Sequence, residues 1–258
     1  EWLPISFWVN EDGTFKKQEL ANSSGLWNNL FCADFNGDGL IDIFAGNQGL
    51  NTRFKASEEK PMKLYVNDFD NNGSVEQLIT QFEGDSAYPV NMLQDLVKQM
   101  PPLRKTIKTY HTYKDKKVDQ LFEPGIFDRS LIWQVETLES SLYLNKGNLN
   151  FEKTELPYEI QFSQVHAAAK SDVNGDGIDD LILGGNQLKA KPEWGVYNAS
   201  RGQVILGDGQ GGFTYLPESQ SGLAVAGEVR DIDILEIKGS RYILFWRNNQ
   251  SVKKYRLR

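Results

Sequence analysis

The sequence is poor in the residues that carry most covalent and redox chemistry. It has one cysteine, Cys32, so no disulfide can form within the chain. Cysteine usage therefore leaves the compartment open, and the run Leu30-Phe31-Cys32-Ala33 reads as part of a core. It has two histidines, His111 and His166. Neither belongs to a Ser-His-Asp grouping or to zinc-ligand spacing, and no P-loop is visible. No apolar run approaches the roughly 18 residues of a membrane-spanning helix, so no span is predicted. Positive charge is also in deficit, with 28 basic against 35 acidic residues and a net charge of −7. That balance argues against non-specific binding to nucleic acid or an anionic membrane. There is no signal peptide and no initiating Met before Glu1-Trp2-Leu3-Pro4-Ile5. The expectation is a mature form or a segment of a longer protein, in which case the missing leader says nothing about destination.

What is present is a core and a repeat. Hydrophobic residues make up 40% of the chain, with six Trp, in 258 residues. That suffices for one large all-β domain or two smaller ones. One pattern recurs: an alternating apolar strand, an Asn/Gly/Asp turn, a Phe, a second strand, an Asp-rich loop and a third strand. Repeats fall near residues 1–50, 60–90, 140–190 and 200–258. Two share tails, Ala45-Gly46-Asn47-Gln48 and Gly184-Gly185-Asn186-Gln187. In the last repeat the loop is degenerate, with Asp231 and Asp233 kept and Leu235 where a third ligand would stand, so no metal is expected there. Residues 91–130 break the pattern. Met92 to Met100 has helical spacing, Pro101-Pro102 stops it, and the stretch from Leu103 to Phe122 suggests a second helix. This is read as a helical insertion between strands. Its lysines (Lys105, Lys108, Lys114, Lys116, Lys117) read as a solvated face.

The loops carry the chemistry. They are Asp34-x-Asn36-x-Asp38-x-x-x-Asp42, Asp68-x-Asp70-x-Asn72-x-x-x-Glu76 and Asp172-x-Asn174-x-Asp176-x-x-x-Asp180. Each puts oxygen side chains at positions 1, 3, 5 and 9, with Gly39, Gly73 or Gly177 at position 6. The carbonyls of Leu40, Ser74 and Ile178, at position 7, are further candidate ligands. Hard, mostly anionic oxygens suit Ca²⁺, which takes six to eight of them in a flexible shell. Mg²⁺ prefers to keep its waters. Up to three structural Ca²⁺ ions are expected, and they would offset most of the net charge. An EF-hand shares the opening of this motif but needs a bidentate Glu at position 12. Position 12 here is Ala45, Ile79 or Leu183, in β-type runs, so a nine-residue loop between strands remains. Asx/Gly turns without metal are the competing reading of the same spacing.

The segments Ala33-Asp34-Phe35-Asn36-Gly37-Asp38-Gly39-Leu40-Ile41-Asp42 and Ser171-Asp172-Val173-Asn174-Gly175-Asp176-Gly177-Ile178-Asp179-Asp180 resemble the core motif of the FG-GAP/VCBS repeats, found also in integrin α-subunit propellers. The ordered set of Glu1-Trp2-Leu3-Pro4-Ile5, Gly46-Asn47-Gln48-Gly49-Leu50-Asn51, the Asp68 loop, the insertion and Leu206-Gly207-Asp208-Gly209 is similar to the C-terminal part of large surface or secreted proteins of Bacteroidetes. The resemblance implies an all-β fold: a β-propeller, or a propeller arc, of about four blades with a short helical insertion. It implies a non-catalytic calcium-binding module of an extracytoplasmic bacterial protein. Such a module would bind a protein or glycan ligand at the cell surface, or serve as a scaffold, without a membrane span of its own.

The rival reading is an accessory or catalytic domain of a polysaccharide lyase or glycoside hydrolase, since acids are plentiful and propellers host many activities. No catalytic residue is assigned. Trp194 and Tyr197 could stack on a sugar, but packing within the fold is the simpler expectation. His166 reads as a packed or hydrogen-bonded strand residue. Gly207 to Phe213 reads as a hairpin turn, because a strand-like Phe-Thr-Tyr-Leu follows it and not a helix.

Overall fold

A computed structural model describes residues 1–257. The chain forms two compact units, each assembled from two separate stretches. Glu1–Leu26 joins Phe54–Thr137 in the first, and Trp27–Arg53 joins residues 138–257 in the second. Both are mostly β, and every sheet is antiparallel. Strand numbers follow the chain. Among the described residues no helix is long and apolar enough to cross a membrane.

The first unit opens with a hairpin of β1 (Ser6–Glu11) and β2 (Thr14–Glu19). Its turn is Asp12-Gly13, both residues left-handed, which matches the twist of paired strands. A four-stranded sheet follows, made of β5 (Met62–Asn67), β6 (Glu76–Glu83), β7 (Ser86–Pro89) and β8 (Leu131–Val135), in the order β7-β6-β5-β8. Residues 91–130 run between β7 and β8. They begin with α1 (Leu93–Gln99), as the spacing predicts. The second helix does not form as one piece. It breaks into α2 (Leu103–Thr106), α3 (Tyr110–Tyr113) and a 3₁₀ turn at Val118–Gln120. The buried residues Leu103, Ile107, Tyr113, Val118 and Leu121 do not keep the spacing of one helical face. Thr109 is extended and restarts the helix, its Oγ1 accepting from the Thr112 N–H. These side chains pack with Phe69, Leu78, Leu96 and Met100 into the core of this unit. The predicted lysine face is solvated, with only Lys116 partly covered.

The second unit holds three sheets. The first is β3 (Asn29–Ala33), β4 (Asp42–Gly46), β9 (Ser141–Asn145) and β10 (Phe151–Thr154), in the order β10-β9-β4-β3. The next is β11 (Val165–Ser171), β12 (Asp180–Gly185), β13 (Gln203–Gly207) and β14 (Phe213–Leu216), paired in sequence. The last is β15 (Val229–Ile237), β16 (Ser240–Arg247) and β17 (Lys253–Arg256). The middle sheet is covered on both faces, so β12 is buried along its whole length and reads as a continuous apolar run. One face gives Ala168, Leu181, Leu183 and Ile205 to a core with Phe44, Leu142 and Phe35 from the first sheet and its loop. The other gives Ala167, Ala169, Ile182 and Val204 to a core with Val229, Ile232, Ile243 and Phe245 from the last.

The sequence repeats are out of phase with the sheets. The repeats near 140–190 and 200–258 spend their opening hairpins as strands three and four of a sheet begun by an earlier repeat. Thus β9–β10 complete the sheet begun by β3–β4, and β13–β14 complete the one begun by β11–β12. In the shared tails, a Cβ on Gly46 would lie 2.5 Å from the Val165 carbonyl oxygen and one on Gly185 1.7 Å from the Gln164 carbonyl oxygen, so glycine is required at both positions. Cys32 is exposed and not in a core. It lies on β3, the edge of its sheet, where its cross-strand partner Ile43 is covered but the edge strand itself is open.

Candidate metal loops

All three Asp-rich loops connect antiparallel neighbours: 34–42 joins β3 to β4, 68–76 joins β5 to β6, and 172–180 joins β11 to β12. Position 6 is left-handed each time, with φ of 84° at Gly39, 87° at Gly73 and 85° at Gly177. Position 4 is left-handed too, filled by Gly37, Asn71 and Gly175, residue types that tolerate this conformation. Two such reversals curl the chain around the position-1 carboxylate. Asp34 accepts from the N–H groups of Gly37 (2.7 Å) and Gly39 (2.9 Å). Asp172 accepts from Gly175 (2.6 Å) and Gly177 (3.0 Å), and Asp68 from Asn72 (3.0 Å) and Gly73 (2.8 Å). The Gly39 N–H above all, with its neighbours in the loop, holds the Asp34 carboxyl below the usual carboxylate range, and the Gly175 N–H leads the same effect at Asp172.

Loops 34–42 and 172–180 are built alike. Asn36 and Asn174 each donate a side-chain N–H to the position-5 carboxylate, Asp38 or Asp176, at 3.0 and 2.8 Å. Asp38 and Asp176 in turn accept the N–H of Leu40 and Ile178, both at 2.8 Å. The position-9 residues, Asp42 and Asp180, are fully buried. One oxygen of each accepts the loop's own position-2 N–H, from Phe35 or Val173, at 2.8 Å. The other reaches a third strand, accepting from Asn145 N–H at 2.8 Å or from Gly207 N–H at 3.0 Å. Each carboxylate thus straps its loop to the hairpin of a later repeat. Burial pushes the Asp180 carboxyl up against the pull of these bonds.

Loop 68–76 differs where it matters for a cation. Pairing of β6 with β7 ends at Thr80↔Pro89, short of Glu76, so the position-9 carboxylate has no third strand to hold. One of its oxygens accepts the Phe69 N–H at 2.9 Å. Ligand atoms of Asp68, Asp70 and Glu76 lie within 4.8 Å of one another. Glu76 is 3% exposed, and Asp70 Oδ1 is buried without a hydrogen-bond partner. Burial raises the Glu76 carboxyl, and the Asp70 and Asp68 charges add to the rise. Three converging carboxylates and an orphaned oxygen fit a hard divalent cation. Asn72 Oδ1, which accepts the Ser74 N–H at 2.7 Å, lies in the same loop. Sequence spacing singled out Asp68, Asp70 and Glu76, which the fold brings together. It missed the left-handed position 4 and the strap from position 9, because the strap's donor is on a distant strand.

The degenerate copy is not a loop. Asp231 and Asp233 lie inside β15, which turns into β16 through Lys238-Gly239, and Asp233 Oδ2 accepts the Trp246 indole N–H at 2.7 Å. His166 is on β11 with Nε2 2.9 Å from Gln164 Oε1. The segment 207–213 is a hairpin turn, held by Asp208 accepting from Gln210 and Gly212. Tyr197 is buried and its hydroxyl lies 3.0 Å from Thr52 Oγ1, so packing takes most of its ring. Compared with known proteins, the chain matches no protein-family model and no curated protein.

Proposed function

We propose that this chain is a non-catalytic, calcium-stabilised module of the FG-GAP/VCBS kind, a β-propeller or propeller arc from an extracytoplasmic bacterial protein, acting as a binding or scaffold domain for a protein or glycan. The observation that carries the calcium reading is the convergence of Asp68, Asp70 and Glu76 with Asp70 Oδ1 left unpartnered. A bound Ca²⁺ supplies the missing partner and cancels the repulsion among three carboxylates. Loops 34–42 and 172–180 present the same ligand types in a scaffold that their own amides already order, and take further ions. The propeller reading is supported by the phase shift between repeats and sheets, which lets successive blades be stapled by single repeats.

The test is a thermal melt of metal-free protein with and without Ca²⁺. An ion that binds only the folded state stabilises by about 3 kcal/mol at a hundredfold excess over its Kd. The melting temperature is therefore expected to rise with Ca²⁺ and fall back with EGTA. Asp70→Asn is expected to remove part of the gain. An unchanged melt across the titration rejects the calcium reading.

A further inference from the structure

The three Asp-rich loops share their spacing but not their surroundings. Lys170, on β11, reaches back to the loop of the preceding sheet, where its Nζ donates to the Asp34 main-chain oxygen at 3.2 Å. The same ammonium pairs with Asp179, position 8 of loop 172–180, at 2.8 Å. Arg241, on β16, does likewise one sheet further on. Its Nη2 donates to the Asp172 main-chain oxygen at 3.0 Å and its Nη1 to Ser171 Oγ at 3.2 Å. Each of these two loops thus holds a protein cation on the carbonyl of its position-1 residue, supplied by the sheet that follows.

The two cations do not come from one motif. Ser171↔Asp180 ends the pairing of β11 with β12, and Ile237↔Ser240 ends that of β15 with β16. One step in, the pairs are Lys170↔Leu181 and Glu236↔Arg241. Residues opposite one another on antiparallel strands face the same side of the sheet. The positive charge therefore stands at the same place in both sheets, on the first strand in one and on the second strand in the other. Repetition of a motif does not produce that match; the loop each charge meets does.

Loop 68–76 has no such cation. Among the described residues Asp68, Asp70 and Glu76 make no ion pair, and Arg129, which lines a cleft with Asp70, makes none with it. Glu76 also lacks the third-strand bond that Asp42 and Asp180 make. Loops 34–42 and 172–180 have part of their charge answered from within the protein. Loop 68–76 leaves Asp70 Oδ1 buried with no partner.

Given the calcium reading above, we propose that Lys170 and Arg241 are resident counter-cations. They shape loops 34–42 and 172–180 without metal and make them the weak calcium sites, so that loop 68–76 fills first. A fixed positive charge beside a ligand residue repels a divalent ion. Lys170 and Arg241 are only partly exposed, so solvent screens them incompletely and the penalty is about tenfold in affinity. Removal of calcium then costs the first unit its loop, while the loops of the second unit keep the charges and straps that order them.

The test is isothermal titration calorimetry of Ca²⁺ into the full metal-free chain. One ion is expected to bind at least about tenfold more tightly than two others. Asp70→Asn is expected to abolish the tight step and leave the weak pair. Lys170→Gln and Arg241→Gln keep a donor for the carbonyl and drop the charge. Each is expected to tighten binding in the weak class by about tenfold and to leave the tight step alone, whereas Lys170→Arg and Arg241→Lys stay within about twofold of wild type. Circular dichroism in EGTA reads the folding of every variant. A Gln variant that does not fold there is replaced by Lys170→Met or Arg241→Met, which keep an apolar stem for packing. Three ions of equal affinity overturn the proposal. So does a tight step that survives Asp70→Asn, or a weak class that stays unchanged or loosens in the charge-free variants. A wild type that takes up no calcium rejects the calcium reading itself, and the first titration tells the two failures apart.

Discussion

At the scale of single residues, the position-9 carboxylates Asp42 and Asp180 have a structural role that spacing alone does not show. Asp180 was read as a candidate metal ligand from the Asp-x-Asn-x-Asp pattern. Its bond to Gly207 was not, since that donor sits 27 positions further along the chain. Asp180→Ala leaves the partly buried N–H groups of Val173 and Gly207 without their protein partner, and is expected to cost about 2 kcal/mol. Chemical denaturation in EGTA measures it. The cost persists without calcium because it belongs to the strap. His166 makes a second prediction. Its ring is held neutral, with a pKa lowered to about 4, first by burial and then by the nearby Arg230 charge. The unfolded chain takes up a proton near 6.5, the folded chain only near 4. The stability His166 lends is thus present above pH 6.5 and drains away as the pH falls towards 4, by up to about 3 kcal/mol. Urea titrations at stepped pH are expected to show this slope, and His166→Gln is expected to flatten it.

At the scale of elements, strands with alternating or continuous apolar patterns were readable, and so was α1. The remainder of the insertion was not. Its order comes from packing against Phe69, which meets Phe122 at 4.8 Å between ring centroids and Phe127 at 6.0 Å, and no periodicity encodes that. The consequence is a link between the insertion and loop 68–76, because Phe69 is position 2 of the loop and gives its N–H to Glu76. Leu96 is fully buried in the same core. Leu96→Ala is expected to cost about 3 kcal/mol. If the insertion holds the loop in shape, the same variant also weakens Ca²⁺ binding, and isothermal titration calorimetry on the folded variant reads that second effect.

At the scale of the whole chain, the repeats were visible but their phase was not. Sequence similarity groups a hairpin with the loop that follows it, while hydrogen bonding groups β9–β10 and β13–β14 with a loop from an earlier repeat. Each sheet of the second unit that carries an Asp loop is therefore closed by chain from a later repeat, and the cost of closing depends on how much chain lies between. In one sheet the strap links Asp180 to Gly207, 27 positions apart; in the other it links Asp42 to Asn145, 103 positions apart, across the stretch that builds most of the first unit. Two chemically matched bonds thus differ mainly in the entropy lost when the chain's ends are brought together. This turns the fold into a clock. The local sheet is expected to assemble first and the distant one last, since non-local pairing slows folding. Pulse-labelled hydrogen exchange during refolding is expected to protect the Gly207 amide before the Asn145 amide. Until the later bond closes, β4 is an apolar strand still waiting for its neighbour, and that interval is when the refolding chain is most open to aggregation.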